Sequence, residues 1–169
     1  MTDGDESIAI LLLPGEVESF ERGAHARSLL SIPRVVALEP SRRRTPRSLR
    51  EAAALRQARR LRLPGRLALM VLYHPAQYPL ARALCAEHQQ AEMWYLPPDP
   101  GTLDVSDPPE RRELRASDEL ARRATQVLNA TPSAQWDDDD PLRFRLRQLE
   151  VISPRAFVPD VRFARSQRR

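Results

Sequence analysis

The sequence predicts an α/β protein: a single doubly wound, mostly parallel sheet with helices on both faces. Three observations carry that reading. Short runs that are apolar at every position, residues 8–13 (IAILLL) and 67–73 (LALMVLY) above all, alternate with longer amphipathic stretches. A strand covered on both faces has no polar side to show, which is the habit of parallel sheets sandwiched by helices. Pro and Gly punctuate the junctions, as in the LPG at 13–15 and again at 63–65. At 169 residues, the chain has length for one ordinary domain, which buries about 70% of its unfolded surface and needs no covalent staples.

Each element follows from its residues. Residues 8–13 form a buried strand closed by Pro14-Gly15. Residues 17–30 carry Phe20, Ala24, Leu29 and Leu30 among charges, a helical pattern. Residues 35–38 (VVAL) are a second short strand ended by Glu39-Pro40, and SRRRTPR at 41–47 is a basic loop. Residues 49–61 are rich in Ala and Arg, which lose little on entering a helix, and the second LPG stops them. Residues 67–73 make the most continuous strand. The helix after it runs from Pro79 to about His88 with Leu80, Ala83 and Leu84 inward; Pro79 suits the first turn, where its missing N–H has no partner to lose. Residues 93–96 (MWYL) are a fourth strand, with Trp94-Tyr95 mainly in the core, and a loop rich in Pro and Asp follows. Residues 110–124 read as a helix with Leu114, Leu120 and Ala121 apolar, and residues 126–128 as a short strand. After the loop TPSAQWDDDD, residues 141–149 return to a helical pattern. Val151-Ile152 with residues 156–158 form a broken edge strand. No repeat or boundary interrupts this order, so one domain is expected over residues 1–162, with a basic, mobile tail at 163–169.

Charge and cysteine use narrow the partners. The formal net charge is +4, and all 27 basic residues are Arg. Arg suits phosphate and nucleic acid. Here, however, many lie at helical spacing (RQARRLRL, RFRLRQLE), where a solvated helix face is the ordinary arrangement, and no stacking aromatics accompany them. Nucleic acid is therefore not an expected partner. The basic loop from Arg42 to Arg47 has the charge to meet anionic lipid or a diphosphate, which leaves peripheral membrane contact open beside the plainer reading of an exposed loop. The single cysteine, Cys85, excludes an internal disulfide and a multi-cysteine metal site; within a helix it reads as a small buried hydrophobe. The N-terminal MTDGDESIAILLLPG begins acidic, and its apolar run is too short for a signal peptide or a membrane span. A soluble, cytoplasmic protein is expected. The run Asp137 to Asp140 lacks the spacing and turn glycine of a Ca²⁺ loop, so a solvated acidic loop is expected there, and no metal or cofactor.

A site in such a sheet lies outside the carboxyl ends of the strands, where helix N-termini aim N–H groups. Four loops reach that edge: Pro14-Gly15-Glu16, Glu39-Pro40-Ser41, residues 74–78 and residues 97–100. They gather His74 as the candidate catalytic residue and Gly15, Glu16, Gln77, Tyr78 and Asp99 as candidates for binding substrate, a set suited to a polyol or phosphate. His74 can donate a hydrogen bond to a sugar hydroxyl or phosphate, or accept a proton near neutral pH; the plainer reading is a strand-end histidine bonded to backbone. Gly15 with Pro14 makes a tight turn that lets a backbone N–H face a ligand, although no GxGxxG is present. His25, inside a helix, and His88, near a helix end, read as structural or solvent-facing.

The residues also carry a resemblance. LLLPGEVESFERGAHARSLL, RLALMVLYHPAQYPLARAL, AEMWYLPPDP and DELARRATQVLNATPS follow one another in an order that resembles the N-terminal Rossmann-like domain of GT-B glycosyltransferases of the group 1 class. LEVISPRAFVPDV is similar to the strand that crosses toward their second domain. The resemblance runs over nearly the whole chain through short, degenerate motifs. It implies an acceptor-side domain that holds a sugar or polyol near Gly15, His74 and Tyr78, for transfer from a nucleotide sugar. In that family the second domain supplies most nucleotide-sugar contacts, including a Glu-containing motif. This sequence contains no such domain, so a separate second domain or self-association is the implied partner, and transfer by the chain alone is not expected. The alternative is a non-catalytic Rossmann-like binding or protein-interaction module.

Overall fold

The computed structural model describes residues 6–20, 22–39, 46–124, 126–127 and 140–151. Its strands are β1 (Ser7–Leu12), β2 (Val35–Leu38), β3 (Arg66–Leu72), β4 (Glu92–Tyr95) and β5 (Gln126–Val127). Between and after them run the helices α1 (Gly23–Leu30), α2 (Arg50–Arg60), α3 (Tyr78–Glu87), α4 (Pro108–Ala124) and α5 (Pro141–Val151). All four strand pairings are parallel, in the order β2-β1-β3-β4-β5, one of the two common doubly wound orders. The chain leaves β1 in one direction and returns on its other side, so the switch point lies between β1 and β3.

Alternation along the strands builds two cores. Ile8, Ile10 and Leu12 of β1 pack with Ala54 and Ala58 of α2, Leu80, Ala81 and Leu84 of α3, and Ala121 of α4. Ala9, Leu11 and Leu13 point the other way, onto Ala26 and Leu29 of α1 and Leu142 and Leu146 of α5. Successive side chains of a strand face opposite sides, so a run apolar at every position is what a two-sided sheet demands. The small Ala residues of α2 let that helix lie close to the sheet.

Two expectations change. The helix expected over residues 17–30 is divided into a 3-10 turn at Val17–Ser19 and α1. The chain folds back tightly between them: Gly23 N–H donates to Phe20 O at 3.0 Å, and a Cβ on Gly23 would lie 1.7 Å from Val17 O. The apolar spacing persists through the break, so periodicity alone shows one helix. At the other end, Val151 belongs to α5 rather than to an edge strand; an apolar dipeptide does not distinguish the two. Residues 152–158 of that expected strand lie outside the described residues.

Candidate functional site

The carboxyl edge gathers loops from both sides of the switch point. After β1, Gly15 is half-buried and Glu16 exposed. Glu16 O accepts both the Ser19 N–H at 2.8 Å and the Ser19 hydroxyl at 2.7 Å. A Cβ on Gly15 would sit 2.9 Å from that hydroxyl oxygen, a contact that rotation of the Ser19 side chain relieves; no described glycine has positive φ.

After β3, His74 begins the 3-10 turn Pro75–Gln77, and its Nδ1 accepts the Ala76 N–H at 3.2 Å. Pro75, with no N–H to lose, opens that turn. Burial holds the His74 pKa below its ordinary value, with the Asp118 carboxylate pulling the other way, so the imidazole is neutral at pH 7. Since Nδ1 accepts, the remaining proton sits on Nε2. The only lone pair of the neutral ring is thus occupied. His74 presents an N–H donor to the edge, and proton acceptance would first require breaking the Ala76 bond.

Gln77 is buried, and its Nε2 donates to Leu13 O, bridging the end of β1 to the β3–α3 loop. Its Oε1 is enclosed without a hydrogen-bond partner among the described residues. Tyr78 is buried within the core cluster of α2, α3 and α4. Asp99 is half-buried and starts the 3-10 turn Pro100–Leu103, accepting from Thr102 N–H through its carbonyl rather than its carboxylate. The fold therefore sets Gly15 and Glu16 across the switch point from His74 and Gln77, turns Tyr78 inward, and leaves Asp99 on the loop after β4. Pro40 and Ser41 lie outside the described residues.

Residues not among these candidates complete the edge. The Tyr95 hydroxyl donates to Asp118 Oδ1 at 2.6 Å, and Arg122 Nε donates to Asp118 Oδ2 at 2.8 Å. Arg122 lies 6.0 Å from the Tyr95 ring centroid. Burial, then Asp118, pushes the Tyr95 phenol far up, so it stays protonated. Arg22 precedes α1 and sits close enough to Tyr73 and Tyr95 for its charge to act on both phenols. Its Nη1 is buried and has no hydrogen-bond partner among the described residues, an arrangement that costs about 1–3 kcal/mol or more for a charged donor. The i,i+4 spacing of Asp118 and Arg122 is visible in the sequence; nothing local marks Arg22.

Beside this edge runs a buried relay. The Tyr73 hydroxyl lies 3.0 Å from His25 Nδ1, and His25 Nε2 lies 2.9 Å from Asp140 Oδ2. The other carboxylate oxygen, Oδ1, accepts the Leu142 N–H at 2.9 Å and so caps α5. With Nε2–H donating to the carboxylate, Nδ1 accepts from the phenol, and both bonds are satisfied. Burial, followed by Asp140, raises the Tyr73 pKa, which keeps that phenol a donor. The solvated acidic loop expected from Asp137 to Asp140 is thereby corrected at Asp140, which is buried; Asp137, Asp138 and Asp139 lie outside the described residues. A carboxylate is buried only with partners, and its partner His25 is 115 positions away, beyond any local pattern.

Among the described residues no group of three or more His, Cys, Asp or Glu is placed to hold a metal. No described helix is long and apolar enough to cross a membrane. Cys85 is half-buried against the core, and burial raises its thiol pKa, leaving it a thiol.

A five-stranded parallel sheet with helices on both faces makes this a Rossmann-like α/β protein. Compared with protein-family models, curated proteins and solved structures, the chain matches none.

Proposed function

We propose that this chain supplies the acceptor-side half of a glycosyltransferase site of the GT-B kind, with transfer from a nucleotide sugar once a second domain closes over its carboxyl edge. The supporting observation is the position of His74 at the end of β3, beside the switch point, with its Nδ1 engaged and its Nε2–H directed by that bond. In this reading His74 hydrogen-bonds an acceptor hydroxyl and orients it, and does not take its proton. Gly15, Glu16 and Asp99 border the same edge, and Gln77 holds the two loops in register. Saturation-transfer NMR of the full chain with a panel of sugars and polyols tests this. Contacts are expected that disappear in His74→Ala while its melting temperature is kept. No contacts with any member, or contacts indifferent to the substitution, would overturn it.

A second reading, a non-catalytic binding or protein-interaction module, is favoured by a different observation. Among the described residues the exposed large apolar side chains are Leu49, Leu55, Leu120 and Phe144. They are spread beside α2, on α4 and on α5, on both faces of the sheet, whereas a docking surface for a closing domain would gather such residues.

A further inference from the structure

We propose that the carboxyl edge over β3 and β4 is an anion site, in which the Arg22 guanidinium and the His74 Nε2–H hold the phosphate or carboxylate group of a hydroxylated ligand. The inference rests on the acceptor-side reading for the location of the site and adds the chemistry of what it binds.

The charges at this edge do not balance among themselves. The Asp118 carboxylate, whose charge reaches His74, is already engaged by the Tyr95 hydroxyl and by Arg122. Among the described residues nothing accepts from Arg22 Nη1. A buried guanidinium N–H without an acceptor calls for an oxygen, and a planar fork of donors is best met by the paired oxygens of a phosphate or carboxylate. His74 is suited to the same group: a neutral imidazole whose other nitrogen is fixed can only donate. Gly23, the first residue of α1, follows Arg22 directly, so the positive end of that helix dipole adds to the potential there.

The second, independent observation is Gln77. Its side chain is 7% exposed, its Nε2 is held by Leu13 O on the far side of the switch point, and its Oε1 is enclosed without a partner. An anion does not satisfy an amide oxygen; a hydroxyl does. The unmatched groups flanking the switch point are thus a cationic donor and a neutral acceptor, which a polyol bearing one anionic group matches at both ends. Arg22 and His74 are each half-buried, so each is partly open to solvent, although Arg22 Nη1 itself is enclosed.

The test titrates the isotopically labelled full chain with glycerol 3-phosphate, glycerate and glycerol, following backbone amides and, in parallel, heats of binding. Saturable shifts centred on Arg22, Gly23, His74 and Ala76 are expected with either anion, glycerol binding more weakly by about tenfold or more. A stronger response to glycerol 3-phosphate assigns a phosphate, and a stronger response to glycerate a carboxylate. Arg22→Gln should weaken binding by about tenfold or more, while Arg56→Gln, on the exposed face of α2, leaves it unchanged. Shifts confined to exposed arginines of α2 and α4, or equal binding by Arg22→Gln, would sink the proposal. If Arg22→Gln does not fold, the amide map of the unaltered chain decides. Anion binding at Arg22 without any sugar contact would defeat the glycosyltransferase reading alone; sugar contacts at His74 with no anion preference would defeat this inference alone.

Discussion

His25 is the residue whose surroundings most exceed its sequence context. It lies in an eight-residue helix, yet it joins Tyr73 from the end of β3 to Asp140 at the start of α5. Removing the carboxylate takes away the acceptor of the His25 Nε2–H and uncaps the helix, so Asp140→Ala should cost about 2–4 kcal/mol in chemical denaturation. Asp140→Asn is different. Its Oδ1 can still cap Leu142, and its amide can donate to Nε2 if the ring proton moves to Nδ1 and the Tyr73 hydroxyl becomes the acceptor. The expected cost is about 1 kcal/mol, with the His25 ring nitrogens exchanging character in ¹⁵N spectra. Equal losses for the two variants, or an unchanged tautomer in Asp140→Asn, would refute this assignment of protons. His74 makes the contrasting case. It stands two residues from its partner amide, and that local bond settles which nitrogen carries the proton.

Among the elements, α5 is attached to the sheet by unlike devices at two places. At its start Asp140 caps it, and along its length Arg145 grips both carboxylate oxygens of Glu92 on β4. The Arg145 hydrogen bonds hold the Glu92 carboxyl below its ordinary value of 4.5, against a smaller opposing effect of burial and with help from Trp94. A group whose pKa is lower in the folded state adds stability above its unfolded value and loses it as pH falls through its folded value. The tie between β4 and α5 is therefore complete above about pH 4.5 and fades below it. Thermal melts from about pH 6 down to about pH 3 should fall less steeply for Glu92→Gln than for the unaltered chain; parallel curves would show that the pair contributes nothing. Both side chains are about one-third exposed, so the effect is small. The break between the 3-10 turn Val17–Ser19 and α1 is a matter of backbone contact: glycine at 23 is what lets α1 begin under the Val17 carbonyl.

For the molecule as a whole, stability depends on covering both faces of one sheet. The face toward α1 and α5 is closed by two fully or nearly fully buried leucines of α5, Leu142 and Leu146. Leu146→Ala should cost about 2–5 kcal/mol, and the same range applies to Leu84→Ala in α3 on the opposite face, because a cavity on either side opens the same sheet. A loss below about 0.5 kcal/mol at Leu146 would mean that α5 is not part of the cooperative unit.

Much of this arrangement was legible from the residues. Runs such as IAILLL and LALMVLY admit few homes other than a strand covered twice, and the Pro and Gly at their ends marked the turns to within a residue. That is local information, carried by side-chain polarity and backbone freedom, and it also put His74 at a strand end. Gln77 and Tyr78 follow it directly, yet both are buried: Tyr78 packs in the core, and Gln77 is held against the end of β1 by its bond to Leu13 O. The capture of Asp140 by His25, the Tyr95–Asp118–Arg122 cluster and the burial of Arg22 Nη1 all depend on which distant segments meet. By itself the sequence determined the class of fold, the succession of its elements and the edge where a site would lie. Only the tertiary structure decided which polar groups at that edge are already satisfied and which still lack a partner, because a hydrogen bond is satisfied in space and not along the chain.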